Sequence, residues 1–212
     1  MKTIMVDLDD TIVSFSEMFC DRWNQWVTLN HINYLDPSLR LRLENITQYN
    51  YTDSIYEFYK EKDTLMEYQC ISCIVDKFMN ELFLDTTLYN HAYISKDCEK
   101  IFDLLENKYH DYIKVLHTKN STLEMIVSKT NFIKQCQKYH LNVIDFSIFD
   151  KILFELETDH NPKDTRMYDV IIDDSPSNIE YFLNNNKDGI VYMPLKPFNK
   201  HLHNSDKRII TL

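Results

Sequence analysis

Glycine is almost absent from this chain: Gly189 is the only one in 212 residues. Tight turns that ordinarily use glycine must therefore be made by Asn and Asp, which tolerate a left-handed backbone best among the other residues. Positive charge is also in deficit, with 23 Lys and Arg against 33 Asp and Glu and a net charge of −10. That balance argues against a surface built to neutralise a nucleic-acid backbone or an anionic membrane, so neither is expected as a partner. An anionic small substrate stays open if the site carries its own cation. No apolar run approaches the length of a membrane span, and Asp7 follows Lys2 too soon for a secretory leader. A soluble cytoplasmic protein is expected. Internal repeats and low-complexity tracts are absent as well. The five cysteines (Cys20, Cys70, Cys73, Cys98, Cys136) are odd in number and scattered. Cys70-Ile-Ser-Cys73 has redox or zinc spacing, but no second such pair or paired-His motif accompanies it, so it reads as packing.

What is present is ordinary in bulk, 44% hydrophobic and 26% charged, and gives one good core with room for a smaller second lobe. The informative stretch is the first. Ile4 to Val6 is a short apolar run that drives into Asp7, Asp9 and Asp10 before Thr11 and Ile12 resume. Such a run suits a buried parallel strand with a carboxylate-rich end, and in open α/β sheets ligands sit at the carboxyl ends of strands. Like charges so close repel unless a cation or proton lies between them, so the cluster asks for Mg²⁺.

From about Ser14 the period changes. Phe15, Met18, Phe19, Trp23, Trp26 and Val27 recur at helical spacing. Asp36-Pro37-Ser38 starts a helix over Leu39 to Leu43, and further helices are expected over Asp53 to Tyr59 and Thr64 to Leu84, the last facing inward with Met66, Cys70, Ile74, Phe78 and Leu82. Residues 15–90 thus form a helical insertion, and 1–14 with 91–212 form the α/β core. In that core Asp97 to Asn107 and Leu123 to Tyr139 read as helices, the latter burying Ile126, Phe132, Ile133 and Cys136. Strands are expected at Tyr112 to Leu116, Lys151 to Leu156, Tyr168 to Asp174 and Gly189 to Met193, giving about five with the first. Alternation with helices argues for a parallel sheet covered on both faces.

Asp7/Asp9, Thr118, Lys163 and Asp173/Asp174 all fall at or just after predicted strand ends. Hydrolysis of a phosphate monoester needs a nucleophile, cation stabilisation of the equatorial oxygens and a proton for the leaving alkoxide. Asp7 can supply the carboxylate nucleophile, and Asp9 can protonate the leaving group and then activate water. Asp173 or Asp174, with Asp7 and a backbone carbonyl, can hold Mg²⁺. Thr118 can donate to the phosphoryl group and Lys163 can neutralise it.

The order D-L-D-D-T, strand-Thr, Lys, I-I-D-D resembles the four motifs of the haloacid-dehalogenase-type phosphohydrolases, and within them the 5′(3′)-deoxyribonucleotidase family. Thr11-Ile-Val-Ser-Phe-Ser-Glu-Met-Phe is similar to that family's passage into its first cap helix, Leu43-Glu-Asn-Ile-Thr-Gln-Tyr to its first cap loop, and Glu81-Leu-Phe-Leu-Asp to the segment re-entering the core. Met193-Pro-Leu-Lys-Pro-Phe-Asn199 resembles its terminal stretch, and Lys163 stands ten residues before Asp173, the close spacing expected of the third and fourth motifs. The resemblance implies a doubly wound, Rossmann-like sheet with a helical cap, and a Mg²⁺-dependent phosphatase of deoxyribonucleoside monophosphates. It implies Asp7 as nucleophile, Asp9 as acid/base, and metal held by Asp7, the Asp9 carbonyl and Asp174, with Asp173 behind it. Two departures are visible. Asp10 stands where a glycine is common, and Asn90-His91-Ala92 replaces Pro-Gly-Ala.

Rival readings narrow the remaining residues. A calcium loop would need Gly and Glu where Ile12 and Met18 stand. His117 reads as a hydrogen-bonded group rather than an acid/base, and Trp23 and Trp26 as core; Phe15, nearest the acidic cluster, is the candidate to stack on a base. Lys119 is a candidate substrate contact, whereas Lys129 and Lys134 read as solvated. A sugar phosphate or a nucleic-acid 3′-phosphate end is the rival substrate, and a catalytically silent nucleotide-binding protein on the same fold the rival class. A homodimer is left open.

Overall fold

The computed structural model describes residues 1–30, 35, 36, 38–62, 67–139, 144–157 and 161–212. Its centre is set by a few continuous apolar runs. Strand β1 (Thr3–Val6) buries Ile4, Met5 and Val6 completely, each worth about 1.5–3 kcal/mol relative to exposure. Its side chains alternate between two cores. Ile4 and Val6 join the larger cluster, and Met5 joins the smaller one with Ile171, Val191, Ile179 and Phe182. A strand buried on both faces belongs in a parallel sheet with helices above and below.

That sheet has six strands in the order β3-β2-β1-β4-β5-β6, every pair parallel. The others are β2 (Ile113–Asn120), β3 (Lys151–Leu156), β4 (Val170–Ile172), β5 (Ile190–Met193) and β6 (Ile209–Thr211). This is a doubly wound arrangement, and β1 and β4 flank the point where strand order reverses. The sixth strand is the one the sequence hides. It has three residues, sits at an edge and exposes Ile210, so it carries too short a pattern to read.

Helix α1 (Phe15–Leu29) buries Phe15, Met18, Phe19, Trp23, Trp26 and Val27. Trp23, Trp26 and Phe78 pack ring against ring, so both tryptophans are core as expected. Helices α2 (Tyr51–Lys60) and α3 (Tyr68–Phe83) complete the insertion between β1 and β2. Their apolar faces belong to the same cluster as Ile4 and Val6 rather than to a core of their own. The core helices are α4 (Cys98–Asp103), which continues into a π turn over Leu104–Lys108, α5 (Leu123–Tyr139) and α6 (Pro176–Asn185).

Two expectations are corrected. No helix forms over Leu39–Leu43; a single 3₁₀ turn follows at Leu43–Asn45. Asn24 explains this, because its side chain pairs with both the N–H and the C=O of Leu41 at 2.9 Å and replaces helical bonds with tertiary ones. Pro37 of that expected start lies outside the described residues, as do Thr64 to Met66 of the next helix and residues 158–160 of the loop before Lys163. Cys70 and Cys73 are exposed, not packed. The buried stripe of α3 is Ile71, Val75, Phe78 and Leu82, which turns both thiols outward.

The scarcity of glycine is visible in the turns. Asp10 and Asn204 take positive φ, 53° and 63°, where glycine would ordinarily serve. Gly189 has another reason to be glycine: a Cβ there would lie 2.4 Å from the Phe182 ring. Gly189→Ala is therefore expected to destabilise the fold by about 1–3 kcal/mol through overpacking. Adding Phe182→Leu should recover part of that loss in urea unfolding; no recovery would place the cost elsewhere.

Candidate active site

At the carboxyl ends of β1 and β4 the chain brings together the two acidic clusters that lie far apart in sequence. Asp7 continues the ladder one residue past β1, its N–H donating to the Ile172 carbonyl at 2.9 Å. Asp173 and Asp174 follow β4 directly. Oxygens of Asp7, Asp173 and Asp174 lie within 4.8 Å of one another, and all three residues are buried.

Lys163 stands among them. Its Nζ is 2.5 Å from Asp7 Oδ1 and 3.2 Å from Asp173 Oδ2. The lysine itself is held from behind, its backbone N–H donating to Asn178 Oδ1 at 3.0 Å. Asn178, on the first turn of α6, also donates to both oxygens of Asp173, and the Ser175 N–H adds a bond to Oδ1 at 2.9 Å. Asp173 is thus committed on both oxygens. Asp174 differs. Thr11 donates to its Oδ1 at 3.0 Å, and its backbone carbonyl is fixed by Asn199 at 2.9 Å.

The electrostatics follow from burial. Desolvation, with the neighbouring Asp173 and Asp9 charges, outweighs Lys163 and pushes Asp7 up to about 7. Burial and the charges of Asp10, Asp173 and Asp7 hold Asp174 well above the usual carboxylate range. Burial would lower Lys163, but Asp173 and Asp7 more than offset it and keep the ammonium charged. Lys163, with Lys196 acting on Asp174 and Asp10, does not balance the buried carboxylates of Asp7, Asp10, Asp173 and Asp174. A hard divalent cation takes sparse carboxylate oxygen ligation of this kind, so the donor set fits Mg²⁺.

Thr118 is completely buried near the end of β2, and Asp9 lies on the turn after β1. A residue read from sequence as solvated joins them. Lys129, on α5, is completely buried, with Nζ 2.5 Å from Asp9 Oδ2, 2.7 Å from Thr118 Oγ1 and 3.0 Å from the Lys119 carbonyl. The sequence did carry a signal: Lys129 falls in the stripe Met125, Phe132, Ile133 and Cys136, all buried. Tyr89 had none. It lies in a 3₁₀ turn, Leu88–His91, where the insertion returns to the core, and its hydroxyl donates to Asp9 Oδ1.

The place of Asp10 is now defined. Its carboxylate accepts from the Ser16 N–H at 2.9 Å and the Ser16 hydroxyl at 2.5 Å, capping the start of α1, and that hydroxyl also meets Tyr51 at 2.9 Å. Ser14, the formal cap, makes no such bond. His117 is held between Glu155 at 2.8 Å and the Tyr168 hydroxyl at 3.3 Å, and burial lowers its pKa. Beyond the carboxylates opens a cleft of about 750 Å³, lined among others by Phe15, Tyr51, Tyr68, Met79, Phe83 and Lys119. The ammonium of Lys119 turns to the Asn161 carbonyl.

No protein-family model and no curated protein matches the sequence. Solved structures do match in fold along the whole chain. A haloacid dehalogenase-like family hydrolase from Xanthomonas campestris is 16% identical, covered over 100% of this chain and 90% of its own, with a TM-score of 0.53. A haloacid dehalogenase-like hydrolase from Streptococcus pneumoniae is 16% identical over 100% and 93%, TM-score 0.58. A family IA hydrolase of the same kind from Entamoeba histolytica is 13% identical over 100% and 92%, TM-score 0.53. The chain therefore has the haloacid dehalogenase-like hydrolase fold. Among the described residues no helix is long and apolar enough to cross a membrane.

Folded Asp7 keeps its proton to about 7, against 3.8 for an ordinary aspartate. Between those values the folded chain binds more protons than the unfolded one, so stability falls as pH rises through that window. Urea unfolding without divalent cations at about pH 5 and about pH 7.5 should show the fall, and Asp7→Asn should show less of it. An identical pH dependence in both proteins would refute the assignment to Asp7.

Proposed function

We propose that the protein is a Mg²⁺-dependent phosphatase of small phosphate monoesters, and that its substrates are deoxyribonucleoside monophosphates. The observation that carries this reading is the convergence of Asp7, Lys163, Asp173 and Asp174 at the strand-order reversal, with Asp9 and Thr118 beside them beneath a cleft. Residues 15–90 act as a cap over residues 1–14 and 91–212.

Asp7 attacks phosphorus, the bond to the leaving oxygen breaks, and Asp9 gives that oxygen a proton. The aspartyl-phosphate on Asp7 is then hydrolysed by a water whose proton Asp9 takes, which returns both carboxyls to their starting states. Asp7, Asp174 and the Asp9 carbonyl are the ligands assigned to Mg²⁺; Asp173, with both oxygens occupied, steadies Lys163 instead. Bound there, Mg²⁺ supplies charge neutralisation for Asp7 and the phosphoryl oxygens. Lys163 and Thr118 bind the phosphoryl group itself, while Lys119 flanks it. The nucleoside assignment rests on cleft size and lining: about 750 Å³ falls within the usual range for small-ligand sites, and Phe15 presents an aromatic wall.

Phosphate release across a panel of nucleoside monophosphates, sugar phosphates and p-nitrophenyl phosphate, with and without Mg²⁺, tests the whole reading. Turnover should require Mg²⁺ and should favour deoxyribonucleoside monophosphates; a sugar phosphate turned over faster would reassign the substrate. Asp7→Asn is expected to abolish release from every ester, and retained turnover would remove Asp7 as nucleophile. Phe15→Ala should raise KM for nucleotides by about tenfold, the loss of one aromatic stacking contact of about 1–1.5 kcal/mol, while leaving p-nitrophenyl phosphate little changed. Equal effects would take Phe15 out of the base pocket.

A further inference from the structure

Lys129 is the one completely buried lysine among the described residues, and the mechanism above assigns it no step. A buried ammonium without compensation is costly, so its partners define its purpose. It has three N–H donors and meets three acceptors: Asp9 Oδ2, Thr118 Oγ1 and the Lys119 carbonyl. Lys163, by contrast, meets two carboxylates and retains a third N–H for a phosphoryl oxygen. Lys129 and Lys163 are therefore differently employed. For Lys129 to bind phosphate it would first have to give up a contact it already makes.

The other oxygen of Asp9 accepts from the buried hydroxyl of Tyr89, whose ring lies 5.6 Å below the Lys129 ammonium. The Tyr89 backbone N–H is in turn fixed by Ser128 Oγ at 2.9 Å, one residue before Lys129 on α5. Asp9 is thereby gripped on both oxygens by donors anchored to one helix. Each carboxyl oxygen has two lone-pair sites, so one donor on each still leaves a position for the catalytic proton.

We propose that Lys129 and Tyr89 are positioning residues that hold the Asp9 carboxyl in the orientation from which it protonates the leaving oxygen. The inference rests on the assignment of Asp9 as general acid. A proton delivered in the wrong direction is lost to catalysis, and the loss is felt most where the leaving oxygen is a poor leaving group. Nucleoside monophosphates leave as alkoxides and need the proton; p-nitrophenyl phosphate leaves as a stable phenolate and needs it little.

The test is kcat/KM, which reports transition-state stabilisation through the first chemical step, for a deoxyribonucleoside monophosphate and for p-nitrophenyl phosphate. Lys129→Met should lose about 100-fold on the nucleotide and less than about fivefold on the aryl ester, the span of a misaligned general acid. Tyr89→Phe, which deletes only a hydroxyl, should show the same preference with a loss of about tenfold on the nucleotide. Inorganic phosphate should inhibit Lys129→Met about as well as it inhibits the parent protein. In an Asp9→Asn background, Lys129→Met should add no further loss that depends on the leaving group. Equal losses on both esters, or phosphate inhibition weakened tenfold or more, would make Lys129 a phosphate ligand or a structural support and overturn the proposal. If Lys129→Met does not fold, as judged by circular dichroism, Tyr89→Phe decides by the same ratio. Should Asp9→Asn itself treat the two esters alike, the general-acid assignment has failed. If it discriminates and the Lys129 and Tyr89 variants do not, the positioning role alone has failed.

Discussion

The ammonium of Lys163, set between Asp7 and Asp173, is the interaction on which the rest of the site depends. Two acidic strand ends that come together in a buried site cannot both remain charged without a cation, and pairing there must offset a desolvation cost of several kcal/mol per ion. The chain meets that cost with geometry. Asn178 grips the backbone of Lys163 and the carboxylate of Asp173 together, so the lysine and its partner are placed by one side chain from α6. The division of labour within the second acidic pair follows: Asp173 is spent on holding Lys163, and Asp174 faces the cluster with fewer donors upon it.

The parallel sheet supplies the rest by register. Asp7 and Asp173 occupy corresponding places just beyond neighbouring strands whose last paired residues are Val6 and Ile172. Leu116 pairs with Val6 on the other side, and β2 runs four residues further, which carries Thr118 up to the level of the carboxylates. Strands buried on both faces have little freedom to slip, because a shift of one residue would exchange the two cores. The apolar alternation of β1 and β4 therefore fixes the site as much as it fixes the fold.

Much of this was legible in the residues, and what was not has a physical reason. Uninterrupted apolar runs ending in Asp announced β1 and β4, and helical spacing announced α1, because each pattern lies within one local stretch. The sixth strand was too short to show a period, and the expected helix at Leu39–Leu43 was displaced by a pairing between Asn24 and Leu41, distant in sequence. Lys129 reads as solvated by its charge although it lies in a buried stripe, because its compensation comes from Asp9, Thr118 and Lys119, all on other elements. Tyr89 could not be found at all from its neighbours. Asp10, which looked like a misplaced glycine, combines two properties of aspartate: it accepts the left-handed backbone, and its carboxylate caps α1.

Both ends of the helical insertion are tied to the same short turn. The outgoing chain is fastened by Asp10 to Ser16, and the returning chain by Tyr89 to Asp9. An insertion so attached is not a module to be exchanged freely between relatives of this fold. A graft of foreign helices onto this sheet would have to carry with it a serine for Asp10 and a phenol for Asp9, or leave each carboxylate short of a donor it now has. The insertion and the acidic turn are thus coupled through these bonds, and a change in one must be met by a change in the other.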